Sequence, residues 1–344
     1  SRENGTKVHT VTGPVSASDI GRVLMHEHLW CDVTPPDAFP EGTPDGEITI
    51  DNCWQIRYEW HTVPGNQRLN EADTIIGELG ELKQTGIDAI VELSTIGMKR
   101  NPEVLKKISE ETGIRVIMGT GFYAENYLAR ETKNLPEEEL YDLMYRELTE
   151  GVEGTGIRAG LVGEIGCSSE LTDFERKVLR AAAHVQRDTG AAVNVHPHRS
   201  PDGPEEIVRY MESHGGDPAR TVISHIDRTI FDEDTLMDLA ETGCMIEYDF
   251  FGIESAYYPF QTVDLPNDGM RLRYIRSLAD RGHLDQVLIS QDICTKTRLR
   301  AYGGHGYGHI ARNVIPLMKA RGFTGSEIDR ILTENPRRLL SADV

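Results

Sequence analysis

Short β-forming apolar runs alternate with helical patterns along most of the chain. Eight such runs can be identified, namely Arg22–Leu29, Ala89–Ser94, Arg115–Thr120, Ala159–Ile165, Ala191–His196, Thr221–His225, Cys244–Tyr248 and Gln286–Ser290. Most of them recur at intervals of about 30 residues, the length of a strand–helix–strand crossover unit. The alternation favours an α/β fold around parallel strands. The 344 residues suffice for either two ordinary domains or one large α/β barrel.

Capping boxes predict where two of the helices begin. The segment Thr172–Glu175 has the Thr-x-x-Glu pattern of a helix N-terminus, an apolar stripe follows it, and Gly190 closes the helix. A second box at Thr324–Glu327 predicts a helix that stops before Asn335–Pro336.

The spacing of the runs is uneven at two places. Asp32–Gly65, between the first and second runs, is rich in proline, glycine and acidic residues, which predicts a long loop over the mouth of a barrel with a helix after it. A smaller excess lies in Glu125–Gly156. Because no change of composition marks a boundary, we expect one domain over residues 1–344 with long loops at the strand ends.

Charge excludes two classes of partner. The chain has 36 basic and 56 acidic residues, so its formal net charge is −20. Nucleic acids and anionic membranes are bound by clustered Lys and Arg, so we expect a small-molecule substrate and neither of those partners. No run of about 18 apolar residues is present, and no transmembrane helix is therefore expected.

The number and spacing of the cysteines predict a cytoplasmic protein. The five cysteines are widely spaced and form no CxxC pair, which in a chain of this length is typical of reduced thiols. The N-terminal stretch SRENGTKVHTVTG lacks the apolar segment of a signal peptide, although a presequence cleaved before Ser1 would leave no trace.

Histidines and carboxylates stand at or just past the ends of five of the runs. They are His26, His28, Glu164, His196, His225 and Asp292. Catalytic groups of parallel barrels come from the C-terminal ends of several strands, so these side chains are expected to meet. Imidazole and carboxylate are ligands of zinc and similar ions. Taken singly, each histidine fits a hydrogen-bonded interior residue at least as well, but the order of all six favours a metal centre.

Four of these positions carry further information. His26 and His28 are two residues apart, so the alternation of side chains along a strand directs both to one face. Glu164 ends the apolar run AGLVGEIG, where an unpaired carboxylate would be costly to bury. A salt-bridged core glutamate and a carboxylate between two cations both fit that position. Asp292 fits a ligand, a general base or a helix cap.

Cationic residues follow the sixth and eighth runs. Arg228 and Arg298 are candidate contacts for an anionic group on the substrate, whereas Lys296 and Arg300 fit pairs with surface acids better. The glycine-rich stretch YGGHGYGHI around His305 fits a substrate loop and a plain flexible loop equally.

Six segments give the chain a family resemblance: MHEHL, GEIGCS, HPHR, SHIDRT, EYDFFG and SQDICTKTRLRAYGGHGYGHI. On these segments, which run over nearly the whole chain, it resembles the phosphotriesterase family of the amidohydrolase superfamily, in the phosphotriesterase-related branch. The resemblance implies a distorted (β/α)8 TIM barrel that holds two divalent ions. His26 and His28 would bind the more buried ion together with Asp292, and His196 and His225 the more exposed one.

Three further positions matter for the resemblance. Many family members carry a carboxylated lysine on the fourth strand, and Glu164 occupies that position here, as in some relatives. Tyr123 matches a third-strand tyrosine that points toward the metals in lactone-hydrolysing relatives. Those relatives have an arginine after the aspartate of the seventh strand, whereas this chain has Phe250 after Asp249, which weakens any transfer of their substrate preference.

The predicted function is hydrolysis of a carboxylic ester, lactone or N-acyl amide bond of a small anionic substrate. A hydroxide held between two divalent ions would attack, and Asp292 would act as general base and then acid. Zinc fits the ligands, and manganese, cobalt and iron fit too. The alternatives are a phosphotriester hydrolase, for which a wide, neutral, aromatic-lined pocket is expected, and a catalytically silent ligand-binding barrel. The resemblance also suggests a homodimer.

Overall fold

A computed structural model describes residues 6–342 of the chain. Residues 1–5 and 343–344, which belong to the predicted domain and in part to the N-terminal stretch discussed above, lie outside the described residues. The strands of the described range are β1 (Lys7–Thr10), β2 (Gly13–Ser16), β3 (Val23–Glu27), β4 (Cys31–Asp32), β5 (Arg68–Leu69), β6 (Ala89–Glu92), β7 (Arg115–Thr120), β8 (Leu161–Gly166), β9 (Val193–His196), β10 (Thr221–Ile223), β11 (Met245–Tyr248) and β12 (Val287–Ile289).

Eight of these strands form a barrel. β3 and β6 to β12 make one sheet in chain order, and every neighbouring pair is parallel. The last and first strands meet just beyond β12, where the amide of Asp292 donates to the carbonyl of His26 (3.0 Å) and the amide of His28 donates to that of Ile293 (3.2 Å). Each predicted run overlaps one of these strands, and β8 extends one residue past its run to Gly166, so the predicted (β/α)8 barrel is confirmed. The hairpin β1–β2 was not predicted.

The two faces of the strands bury different apolar clusters. Seven of the eight barrel strands contribute to one cluster, with residues such as Met25 in β3 and Val222 in β10, and Ala192 joins it directly before β9, so this cluster fills the barrel interior. Their alternate neighbours, such as Leu24 and Ile223, belong to a larger cluster shared with the surrounding helices. The period-two alternation of each strand thus supplies the inner core and the helix-facing layer at once.

Helices follow most of the strands. They are α1 (Cys53–Tyr58), α2 (Ala72–Leu79), α3 (Pro102–Thr112), α4 (Arg130–Lys133), α5 (Glu137–Thr149), α6 (Asp173–Thr189), α7 (Gly203–Ser213), α8 (Glu233–Glu241), α9 (Asp268–Asp280), α10 (Ile315–Ala320), α11 (Gly325–Asp329) and α12 (Asn335–Leu340). Both predicted capping boxes are present, at Thr172 before α6 and at Thr324 before α11, and Gly190 ends α6 in the left-handed conformation with φ 75°.

The predicted stop before Pro336 is wrong. A wide π-type turn over Arg330–Glu334 continues α11 into α12. Pro336 lies just after this turn, where the wider i to i+5 pattern replaces the regular helical ladder, so the proline does not end the helical segment.

The long loops lie at the ends of the strands. Asp32–Gly65 contains α1 and lines the mouth of the central cavity through side chains such as Trp54 and Trp60, as predicted, and α2 follows it. The smaller excess, Glu125–Gly156, forms α4 and α5. Among the described residues, no helix is both long and apolar enough to cross a membrane.

Candidate metal centre

Six side chains meet at the C-terminal end of the barrel, where the sequence placed them. They come from the ends of five strands, with His26 in β3, His28 just after it, Glu164 in β8, His196 at the end of β9, His225 after β10 and Asp292 after β12. Most of them line the floor of one cavity of about 770 Å³, and His26 lies fully buried beneath it. The six groups therefore converge, as predicted, although their roles stay predictions.

Glu164 lies between the two histidine pairs. Its Oε1 is 3.3 Å from Nε2 of His28, and its Oε2 is 3.4 Å from Nε2 of His26. The same Oε2 lies 3.3 Å from Nδ1 of His196 and 3.1 Å from Nε2 of His225. One buried carboxylate thus faces all four imidazoles, as a bridging ligand requires.

Asp292 approaches the same centre from the C-terminal end of β12, across the barrel from Glu164 in β8. Its Oδ1 lies 3.1 Å from Nε2 of His28 and 3.4 Å from Nε2 of His26, and its Oδ2 is 3.8 Å from Nδ1 of His225. Asp292 and His225 both have left-handed backbones, with φ of 48° and 57°. Non-glycine residues rarely adopt this conformation, so neighbouring groups must hold both residues in it.

Four buried acids hold these residues in place. Glu27 accepts hydrogen bonds from the backbone amides of Gln291, Asp292 and Ile293. Asp249 contacts His225 twice, at the backbone amide (3.0 Å) and at Nδ1 (2.8 Å).

The other two acids act on the first histidine pair. Glu247 lies 2.8 Å from Nδ1 of His26. Glu92 accepts from the hydroxyl of Ser94, which lies 2.9 Å from Nδ1 of His28. Each contact orients an imidazole so that its Nε2 faces the centre. None of these four acids was given a role from the sequence, although each is a charged residue in or beside an apolar strand.

The charges of the centre favour cations. Burial alone would lower the pKa of His28 and His225, yet the surrounding carboxylates outweigh it and raise these pKa values to about 10 and about 9. Burial would raise the pKa of Glu164, but His26 and the other imidazoles hold it well below its usual range. Burial lowers the pKa of His196 to about 3, so this imidazole is neutral and free to bind a metal.

The donor set fits divalent ions. Three sets of residues could each hold an ion, because the ligand atoms within each set lie within 4.8 Å of one another. They are His26–His28–Glu164, Glu164–His196–His225 and His26–His225–Asp249. Two buried atoms, Nε2 of His26 and Oδ1 of Asp292, have no hydrogen-bond partner in the part of the chain that the structure describes. Buried polar atoms are rarely left unsatisfied, and an ion between them would satisfy both.

The cavity wall contains the predicted substrate contacts. Tyr123 lies edge-on to His196 at 5.2 Å between ring centres, and burial raises its pKa well above the usual value, so its hydroxyl stays protonated. Arg228 and Arg298 also line the cavity. Lys296 and Arg300 instead face surface acids, as the sequence favoured, with nearest contacts to Glu71 and Glu81 at 4.0 and 3.4 Å.

Aromatic side chains form the outer wall. Trp54 stacks on Tyr58 (5.5 Å), which stacks on Tyr257 (5.1 Å), so the loop after β4 meets the loop after β11 through their rings. Trp60 and Phe260 line the cavity beside them. His305 of the glycine-rich stretch also lines the cavity and lies 3.2 Å from Arg298, so this stretch is part of the wall.

Comparisons with known proteins agree with this arrangement. The sequence model of the phosphotriesterase family matches residues 6–340. The human protein named N-acetyltaurine hydrolase is 42% identical over 341 residues, covering 97% of this chain and 98% of its own. A Nematostella vectensis protein named phosphotriesterase-related protein is 43% identical, with coverages of 96% and 97%. A crystal structure of a resiniferatoxin-binding protein from Rhodobacter sphaeroides superposes with a TM-score of 0.92 at 32% identity, covering 98% of this chain and 96% of that one.

Proposed function

The chain belongs to the phosphotriesterase family and is a hydrolase, and on that premise we propose that it cleaves the amide bond of a small, anionic N-acyl substrate with the help of two divalent ions. The observation that carries the proposal is the convergence of four imidazoles on Glu164 and Asp292 at the cavity floor. The amide preference is supported by the relatives named N-acetyltaurine hydrolase. The hydrolase names of these relatives also speak against a silent binding barrel.

We assign the ligands as the resemblance suggests. His26, His28 and Asp292 would hold the more buried ion, His196 and His225 the more exposed one, with Glu164 shared between them. Zinc fits the mixed imidazole and carboxylate set, while manganese, cobalt and iron remain alternatives. When bound, such ions polarise an acyl oxygen and lower the pKa of water toward neutrality.

Asp292 is the group that moves the proton in this proposal. Its carboxylate takes a proton from the attacking water as the new C–O bond forms, and returns it to the substrate nitrogen as the C–N bond breaks. An amide nitrogen is a poor leaving group unless it is protonated, so this transfer matters more for amides than for activated esters. We assign the protonated hydroxyl of Tyr123 to orienting the substrate beside His196.

Phosphotriester hydrolysis is the second candidate. The outer wall of Trp54, Tyr58, Trp60 and Phe260 is the aromatic lining that this alternative predicts. The arginines of the same cavity favour an anionic substrate instead, because a phosphotriester carries no charge for them to bind.

A mixed substrate panel separates these candidates. The protein reconstituted with zinc, and separately with manganese, is assayed on N-acyl amino acids and N-acyl aminosulfonates, lactones, aryl esters and phosphotriesters, beside a chelated control. We expect amide hydrolysis that disappears on chelation and returns with metal. Preferred turnover of phosphotriesters would replace the amide proposal, and turnover that survives chelation would refute the metal mechanism.

We also propose a cytoplasmic homodimer. All five cysteines are free, which supports a reducing compartment, and the dimer rests on the family resemblance alone. Light scattering after size-exclusion chromatography measures the oligomeric state, and a mass of one chain would refute the dimer.

A further inference from the structure

The arginines of the cavity differ in what their guanidinium groups already bind. Arg298 donates to the carbonyls of Asp292 and Phe251, each at 2.9 Å. Arg57 donates to the carbonyls of Thr297 (3.2 Å) and Gly303 (2.9 Å). These two arginines therefore brace the loops that surround the cavity.

Arg228 is also committed to the protein. It donates to the carbonyl of Pro197 (2.9 Å) and to the hydroxyl of Thr229 (3.3 Å), and it lies 3.4 Å from Nε2 of His196. It lies at Nε2 of this imidazole, whose Nδ1 faces Glu164. Arg228 is therefore better placed to orient His196, a candidate metal ligand, than to bind the substrate.

Arg199 is the exception among these arginines. Its Nε donates to the hydroxyl of Tyr258 (2.8 Å), and its guanidinium lies over the rings of Phe260 (5.0 Å) and Tyr258 (5.7 Å). Within residues 6–342, neither of its terminal nitrogens has a hydrogen-bond acceptor, and no carboxylate lies within 4.0 Å of it. It is half-buried on the cavity wall.

An unpaired arginine in this position calls for an explanation. The chain has 56 acidic residues against 36 basic ones, so partners for an arginine are plentiful. A half-buried cation without an anion loses hydration, and here only the Tyr258 hydroxyl and two aromatic rings replace part of it. The hydrogen bond from Nε to Tyr258 and the contacts with two rings restrain the guanidinium, which leaves its two terminal nitrogens available for a two-point contact.

We propose that Arg199 binds the anionic group of the substrate, a carboxylate or a sulfonate carried on the amine portion of the N-acyl amide. This assignment rests on the proposed function. Both anions offer two oxygens to the terminal nitrogens, the geometry in which arginine binds most strongly. Arg199 is three residues from His196, so their Cα atoms are at most about 11 Å apart. One compact substrate can therefore contact both Arg199 and the metal centre.

Matched substrates and variants test this role. Wild type, Arg199→Met, Arg199→Lys and Arg57→Met are assayed with N-acetyl-2-aminoethanesulfonate, N-acetyl-3-aminopropanoate and the neutral N-acetyl-2-aminoethyl methyl sulfone. For Arg199→Met we expect KM for the two anions to rise by about 10- to 100-fold, with KM for the sulfone unchanged. Arg199→Lys should recover part of the loss. Arg57→Met, which removes an arginine that braces a loop, should affect charged and neutral substrates alike.

The outcomes separate a binding role from a structural one. Equal changes in KM for the sulfone and the anions, or no change for the anions, would overturn the assignment. Thermal unfolding of each variant checks the fold, and Tyr258→Phe, which removes only the hydroxyl, should raise KM for the anions alone. The two anions are compared directly, and a larger effect on one of them names the preferred group.

Binding of ethanesulfonate, measured by calorimetry on the zinc-loaded protein, tests Arg199 apart from catalysis. Binding that is lost in Arg199→Met while no acyl substrate is hydrolysed would refute the proposed function and keep this inference. Hydrolysis of neutral amides without any preference for anions would keep the proposed function and refute this inference.

Discussion

Replacing Glu27 with glutamine tests whether one buried carboxylate sets the position of Asp292. Glu27 is completely buried, and its Oε2 accepts from Ser290 Oγ (2.5 Å), Gln291 N (2.8 Å) and Asp292 N (3.2 Å). Its Oε1 accepts two longer hydrogen bonds, both 3.3 Å, from Gln291 Nε2 and Ile293 N. Glutamine can keep only one of the two oxygens.

The expected cost follows from which oxygen is lost. The side-chain nitrogen of the glutamine should take the position of Oε1. Two long hydrogen bonds are lost there, whereas three hydrogen bonds would be lost at the position of Oε2. The amide of Ile293 would then be buried without an acceptor, which costs about 1–3 kcal/mol, and the contacts of the other oxygen would lose their charge. Burial raises the pKa of Glu27, so removing the charge returns part of this cost. We expect the free energy of unfolding to fall by about 2–3 kcal/mol.

The catalytic effect should be larger than the loss of stability suggests. Asp292 has φ of 48° and depends on Glu27 to hold its turn, so a shift of its carboxylate should lower kcat about 10- to 100-fold. Denaturant unfolding, steady-state kinetics and metal analysis are compared for Glu27→Gln and for Glu327→Gln. The control removes a carboxylate from the capping box of α11, outside the cavity lining, so it should lose stability without losing kcat. An unchanged kcat in Glu27→Gln would refute the reasoning.

Three further predictions concern the centre itself. Asp292→Asn should keep bound metal yet lose at least about 100-fold in kcat; near-normal turnover in metal-analysed protein would exclude the proton-transfer role. Glu164→Ala should lose at least one ion by elemental analysis, and two tightly bound ions would rule out a shared ligand. In chelated protein, His28 and His225 have pKa values raised to about 10 and about 9, against about 6.5 when unfolded. The two protonated imidazoles contribute fully to stability below about pH 6.5, and this contribution is lost as the pH rises through 9 and 10. The free energy of unfolding, measured with denaturant, should therefore fall over this pH range. An increase over the same range would contradict the charge balance.

Much of the fold was readable from the sequence. The eight β-forming runs, the box at Thr172 and Gly190 at the end of α6 are local patterns, and the structure contains all of them. The hairpin β1–β2 was missed because its strands are short, and α12 because a π-type turn carries the chain past Pro336. The convergence of the six ligand candidates also followed from the sequence, since the ends of parallel strands share one edge of the barrel.

The alternation of side chains along the strands explains why some of the ligands point inward, but not all of them. Ala192, directly before β9, belongs to the barrel interior and His196 lies four residues on, so simple alternation directs this ligand inward. Leu24 and Val162 face the helices, and the same alternation would turn His26 and Glu164 outward with them. Both ligands reach the centre because the strand pairing changes register around them, between Leu24 and Glu27 and between Val162 and Ile165.

The sequence by itself determined the barrel, the order of its strands and the chemical types that gather at one end. Only the tertiary structure decided how those groups are aimed, through two register shifts and the left-handed backbones of His225 and Asp292. It also decided that Arg199, rather than Arg228 or Arg298, has its terminal nitrogens uncommitted. The physical reason is that hydrophobic period and strand ends are local properties. Register, backbone strain and the partners of a guanidinium depend on residues far apart in the chain, such as Glu27 with Asp292 and Tyr258 with Arg199.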